Sequence, residues 1–150
     1  MFLLPQIHSA QPKIYLENEY TMYFDGCSKK NPGPSGAGAV IFNNEKEVWG
    51  SSIFVGKKET NNVAEYSGLI LGLKQAINMS VRNLIVYGDS LLIIKQMNNQ
   101  YKVSSENLIP LFKEAHGLIS EFDSILFVHI YRTQNKRADE LSNLGLCLHK

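Results

Sequence analysis

Four acids in this chain of 150 residues, Asp25, Glu65, Asp89 and Asp139, stand where the flanking pattern ends a strand or opens a helix. A hard divalent cation such as Mg²⁺ takes carboxylate oxygens, and two such ions sharing one acidic cluster can drive cleavage of a phosphodiester. The condition is spatial, because side chains far apart in the chain must meet at one edge of a sheet. Taken singly, each acid has a plainer explanation. Asp25 precedes Gly26 and suits a strand-ending turn, and Asp139 falls in a first helical turn, where the helix dipole favours an anion. Their settings, FDGCSKKNPGPSGAG, TNNVAEYSGL, VYGDSLLI and NKRADELSN, nevertheless differ from those of scattered surface acids.

The elements that must position these acids are legible in the periodicity. Tyr20 to Asp25 is rich in aromatics, Gly36 to Phe42 is small and β-branched, and both read as strands separated by the turn-forming CSKKNPGPSG. Asn43, Asn44 and Glu45 then predict a hairpin into a strand over Val48 to Val55, so three antiparallel strands open the domain. From Asn61 to Met79 the period becomes helical through Val63, Tyr66, Ile70, Leu73 and Ile77, with Thr60 or Asn61 as N-cap. Glu65 shares a stripe with Leu69, Gly72 and Ala76, whose small members let the helix approach a sheet and turn Glu65 inward. Leu84 to Tyr87 reads as a buried strand that delivers Asp89 and Ser90 at its C-terminal end, where ligand groups gather in open α/β sheets. Helices are expected over Leu91 to Met97, over Ser104 to Ser120 with Pro110 near a kink or new start, and from an Asn135 cap to Leu148; a strand is expected over Ile125 to Tyr131. Residues 1–18 lack periodicity and read as a partly disordered arm before a single domain over 19–150.

Composition narrows the function classes. Fifteen Lys and Arg against fourteen Asp and Glu give a net charge of +1, so a polyanion must meet a local patch rather than a basic coat. Lys29, Lys30, Lys57, Lys58, Lys136 and Arg137 are candidates for such a rim. Cys27 and Cys147 are too few for a disulfide framework and have no partners at zinc spacing, which implies a reducing, cytoplasmic setting. The opening MFLLPQIHSAQPK has no basic segment before its short apolar run, so no signal peptide or membrane association is expected. His8, His116 and His149 show no ligand spacing and are expected to be exposed.

In their order, the strand-ending Asp-Gly with its NPGP turn, the TNN before a helical Glu, the DS after a buried strand and the Asn-x-x-x-Asp of the last helix resemble type I ribonuclease H, over roughly residues 20–148. The resemblance implies an α/β fold with a five-stranded mixed sheet flanked by helices and the acids clustered on one edge. It implies an endonuclease that hydrolyses the RNA strand of RNA–DNA hybrids to 5′-phosphate and 3′-hydroxyl ends with two Mg²⁺ ions, for which Mn²⁺ substitutes, acting as a monomer. Asp25 would bridge both ions, Glu65 and Asp89 would complete one site, and Asp139 would ligate the second. Asn31, Asn61, Asn62 and backbone around Gly26 would reach the minor groove, where the 2′-hydroxyl separates RNA from DNA. Ser90 would lie against the sugar or backbone, Thr60 would grip a phosphate of the DNA strand, and Arg132 would contact phosphate. Turn chemistry and helix capping explain Asn31 and Asn61 equally well.

The sequence departs from the bacterial reference form in two places. NNQYKV stands where that form carries a basic protrusion, which implies weaker unaided substrate affinity, and IYRTQ lacks the glycine-rich stretch that carries a mobile histidine. Both features resemble the compact forms of archaea and some bacteria. His129 alternates with Phe127 and Tyr131 and reads as a core or sheet-face histidine rather than a proton shuttle. The same acids also suit integrases and resolvases, against which the asparagines and NPGP turn argue, or a hybrid-binding module that does not cut. The initiating Met and the unrelated arm favour a separately encoded enzyme over a reverse transcriptase fragment.

Overall fold

Strand β1 (Tyr20–Ser28) lies at the centre of a five-stranded sheet because its two neighbours satisfy both of its hydrogen-bonding edges. On one side it pairs antiparallel with β2 (Gly33–Asn43), which pairs antiparallel with β3 (Lys46–Glu59). On the other it pairs parallel with β4 (Asn83–Gly88), which pairs parallel with β5 (Ser124–His129), giving the order β3-β2-β1-β4-β5. The expected three-strand antiparallel opening and mixed sheet are therefore present. The computed structural model describes residues 19–148, and the arm expected over 1–18, with His8, lies outside the described residues, as does His149. None of the described helices is long and apolar enough to cross a membrane.

Turn chemistry sets the first hairpins. Asn44 and Glu45 both adopt left-handed backbone, with φ of 52° and 72°, the conformation a two-residue loop needs to match the strand twist. The strands run longer than their apolar cores suggest: β1 and β2 absorb Cys27, Ser28 and Gly33 to Ser35, so the NPGP turn shrinks to Lys29 through Pro32, with Lys30 at φ 66° and a cis Asn31–Pro32 bond.

Helix α1 (Asn61–Asn78) is capped by Thr60, whose side-chain oxygen accepts from Val63 N at 3.2 Å. Its apolar face buries Tyr66, Leu69, Leu73 and Ala76 against Met22, Phe24, Ala39 and Ile41. Burying side chains of this size contributes about 1.5–3 kcal/mol each. Helices α2 (Leu91–Met97) and α3 (Ile109–Gly117) extend the same layer, and the Tyr66 hydroxyl donates to buried Gln96 Oε1 at 2.6 Å, fastening α1 to α2. Helix α4 (Lys136–Leu146) packs on the opposite face: a Cβ on Gly38 would lie 2.5 Å from Leu141 Cβ, whereas one on Gly72 would meet Met22 and Ala39 under α1.

Three expected boundaries shift. The helix expected from Ser104 begins at Ile109, because Pro110 lacks an N–H and is accommodated in a first turn, and after Leu118 the chain continues only as a 3-10 turn over Ile119–Glu121. Strand β5 stops at His129, two residues before Tyr131, as a 3-10 turn over Arg132–Gln134 begins. Helix α4 ends at Leu146 rather than Leu148.

Candidate active site

Strand register brings the first two acids together. Parallel β1 and β4 place Phe24 opposite Gly88, so the next residues, Asp25 and Asp89, leave the same edge of the sheet side by side. This is where the sheet changes from antiparallel to parallel pairing, the place at which open α/β sheets build sites. Glu65 arrives from α1, which approaches closely because β1 carries Gly26 at the contact. Any Cβ there would collide with the main chain of Ala64 and Glu65, and one on Gly68 would lie 2.6 Å from the Asp25 carbonyl oxygen.

One carboxylate oxygen from each of Asp25, Glu65 and Asp89 lies within 4.8 Å of the others. Asp139 falls outside that triplet. It stands half-buried in the first turn of α4, with its carboxyl in hydrogen-bonding reach of Asp25.

The cluster is electrostatically uncomfortable on its own. Asp25 and Glu65 are 6% and 8% exposed, and none of the four acids has an ion pair among the described residues. Burial, then the neighbouring Asp89 charge, pushes the Asp25 carboxyl up to about 7. Burial and the Asp25 and Asp89 charges likewise hold Glu65 well above the carboxylate range, while the Gly26 amide pulls in the opposite direction. Glu65 Oε1 is buried with no hydrogen-bond partner. Converging carboxylate oxygens, one of them orphaned, form a donor set that suits a hard divalent metal.

Two polar residues support the acids, and sequence reasoning assigned neither of them to the site. Asn135 Nδ2 donates to Asp89 Oδ2 at 2.9 Å and to the Phe24 carbonyl at 3.0 Å. Ser142 Oγ, fully buried one turn after Asp139, lies 3.3 Å from Asp25 Oδ2 and 3.0 Å from the Asp139 carbonyl, with one proton to give. Asn135 had a visible signal, four residues before Asp139 in NKRAD, but that position also fits a plain cap. For Ser142 the only signal is its helical spacing from Asp139.

The residues expected to meet substrate occupy the surroundings of this cluster in different ways. Asn31 Oδ1 accepts from Asn61 N at 2.9 Å, and Asn61 Oδ1 accepts from Ser28 N at 2.8 Å, so these amides tie the β1–β2 turn to the start of α1. Their oxygens are used and their side chains are exposed. Asn62 follows, half-buried. Thr60 and Ser90 cap α1 and α2 by accepting from Val63 N and Ile93 N, which leaves each hydroxyl proton to be donated elsewhere. Arg132 is exposed in the turn after β5.

Gly26 is buried between β1 and α1 with its amide turned to the acids. Other expectations need correction. Arg137 does not join a free basic rim, because Glu47 holds it at 2.9 and 3.0 Å and Glu140 at 3.3 Å; Lys29, Lys30, Lys57, Lys58 and Lys136 remain exposed. His116 is half-buried rather than exposed, beside Phe112, with Nε2 lacking a partner. His129 ends β5 opposite Gly88, half-buried and edge-on to the Tyr131 ring at 5.8 Å.

The chain is similar in sequence and fold to known proteins. Residues 23–145 match the family described as reverse transcriptase-like. The bifunctional protein Rv2228c of Mycobacterium tuberculosis is 39% identical over 120 residues, covering 79% of this chain and 33% of its own length, so the chain spans about a third of that relative. Ribonuclease HI of Halobacterium salinarum is 33% identical over 124 residues, covering 83% of this chain and 62% of its own. Among solved structures, the N-terminal RNase H domain of Rv2228c superimposes with a TM-score of 0.83 at 36% identity, over 87% of this chain and 94% of that one. LC11-RNase H1, solved in complex with an RNA/DNA hybrid, superimposes with a TM-score of 0.80 at 35% identity, over 86% of this chain and 97% of that one. With the match over most of its length and the same fold throughout, the chain belongs to the reverse transcriptase-like family and, within it, to the type 1 ribonucleases H.

Proposed function

We propose that this protein is a metal-dependent endonuclease that hydrolyses the RNA strand of RNA–DNA hybrids, leaving 5′-phosphate and 3′-hydroxyl ends. The observation that carries the reading is the convergence of Asp25, Glu65 and Asp89 around an orphaned buried oxygen, with Asp139 against Asp25. Asp25, central to the cluster, would be shared between two Mg²⁺ or Mn²⁺ ions, Glu65 and Asp89 would help hold one of them, and Asp139 would help hold the other. Bound ions of this kind supply an ionised water as nucleophile and stabilise charge on the leaving oxygen.

The chain's own residues would hold the duplex around that chemistry. The Asn31 and Asn61 amides, with their oxygens committed internally, present N–H donors that suit a 2′-hydroxyl or a base acceptor in a shallow minor groove, and Asn62 lies beside them. The hydroxyls of Thr60 and Ser90 can donate to phosphate or sugar while capping their helices, and Arg132 offers a charged fork to phosphate. The exposed lysines around the β1–β2 turn and the end of β3 add a local positive rim to a chain of net charge +1. The hybrid complex of a relative 35% identical supports the substrate class.

The test is cleavage of a single labelled strand presented in a hybrid, a DNA duplex and an RNA duplex, with and without Mg²⁺, for wild type and Asp25→Asn. The expected result is metal-dependent cutting of the RNA strand in the hybrid alone, abolished by the substitution. Equal cutting of DNA would place the protein with the resolvases, and hybrid binding without cutting would make it a binding module.

A further inference from the structure

We infer that Asn135 is a positioning residue that holds Asp89 in its metal-ligating pose. An Asn at a helix N-cap ordinarily turns its side-chain oxygen to an amide of the first turn. Asn135 occupies that position in α4 but makes no such bond. Its Nδ2 instead gives both hydrogens away, one to the Phe24 carbonyl in β1 and one to Asp89 Oδ2 just beyond β4. The side chain is 1% exposed, and its Oδ1 is buried without a partner. An orphaned acceptor of this kind is unfavourable, and a residue selected only to cap a helix would not leave one.

The amide orientation follows from the network. Rotating the group by half a turn would set Oδ1 against a carbonyl and a carboxylate oxygen, both acceptors. Asn135 therefore spans the parallel seam between β1 and β4, the seam that places Asp25 beside Asp89. A neutral donor suits this place: it fixes one oxygen of Asp89 without cancelling the negative charge that a cation requires, as Lys or Arg would. Donors behind ligating carboxylates tune affinity in this way.

The inference rests on the metal-dependent reading above, and its test is chosen so that the two fail separately. Asn135→Ser keeps a favourable N-cap residue and removes the reach to Asp89; Asn135→Ala removes both. Calorimetric titration with Mn²⁺, independent of any cleavage, is expected to show affinity lowered about 10–100-fold in both variants. The Mg²⁺ concentration for half-maximal cleavage should rise in parallel, while KM for hybrid at saturating metal stays as in wild type. In the wild-type protein, the Asn135 side-chain amide resonances should shift during the Mg²⁺ titration with the midpoint of binding, a readout that needs no variant to fold. A variant with an intact unfolding transition and unchanged Mn²⁺ affinity, or Asn135 resonances indifferent to Mg²⁺, overturns the inference. Wild type that binds Mn²⁺ but cuts no hybrid overturns the proposed reaction instead, and wild type that binds no Mn²⁺ overturns both.

Discussion

Replacing Asp25 by Asn should stabilise the metal-free protein while abolishing its activity, and the gain should depend on pH in one direction only. In the folded chain the Asp25 carboxyl is pushed from 3.8 to about 7, first by burial and then by the Asp89 charge. Between those values the native state binds a proton that the unfolded state releases, so stability falls as pH rises through the window from about 4 to about 7. Roughly three pH units at about 1.4 kcal/mol each set an upper bound near 4 kcal/mol by pH 8. Asn keeps an acceptor for the Gly26 amide but loses the charge that strengthens that contact, and the unfolded reference retains some repulsion. About half the bound, ~2 kcal/mol, is therefore expected to survive, which raises Tm by roughly 4–8 °C for a domain of this size. At pH 5, about one unit into that window, the gain should shrink to roughly a third of its value at pH 8, and it vanishes only below about pH 4, where the unfolded carboxyl is protonated too. Mg²⁺ should reverse the ranking at pH 8, since a ligand at 100 times its Kd stabilises the wild type by about 2.7 kcal/mol and the variant far less. Thermal unfolding of both proteins at pH 5 and pH 8, with and without Mg²⁺, reads all of these terms. A metal-free Asp25→Asn protein less stable than wild type at pH 8, or one whose gain is equal at both pH values, would refute the claim that the cluster is held together against its own charge.

Other substitutions test the scaffold. Tyr66→Phe leaves buried Gln96 Oε1 without its donor and should cost about 1–3 kcal/mol in urea unfolding with an unchanged m-value. Gly38→Ala drives a methyl into Leu141 and the Ser142 amide, so α4 must shift; a loss of about 1–3 kcal/mol is expected with a fall in kcat as Asp139 leaves Asp25, and full activity in a folded variant would contradict the role given to this contact. Arg137→Ala removes exposed ion pairs with Glu47 and Glu140 and should cost only about 0–1 kcal/mol, a difference that shrinks in 1 M salt.

The acids were legible because each sits in a stretch whose period is unambiguous. Glu65 could be assigned inward from the small residues at its helical neighbours, and it is 8% exposed. Asp89 followed a short apolar strand, and the parallel register carried it to Asp25. What could not be read was the geometry among residues that do double duty. Asn31, Asn61 and Asn135 have the types and positions of turn and cap residues, and capping and bridging use the same amide. Only coordinates separate Asn135, whose nitrogen reaches across two strands, from Thr60, whose oxygen serves its own helix. Pro110 illustrates the complementary limit: its ring forbids a continuous helix from Ser104, but whether it kinks or begins one depends on packing that lies outside the local pattern.

These observations divide the labour within the site. Glycines set how near the acids can come: Gly26 and Gly68 admit α1, and Gly36 and Gly38 admit α4 from the other face. The acids then repel one another, and neutral donors, Asn135 to Asp89 and Ser142 to Asp25, orient them without quenching the charge. A cluster built from Lys or Arg pairs would be more stable without metal but would hold its carboxylates in closed ion pairs. The orphaned oxygen of Glu65 and the raised Asp25 are therefore two consequences of one arrangement, a fold that accepts a stability cost at the sheet edge and thereby keeps a donor set that suits a cation already assembled.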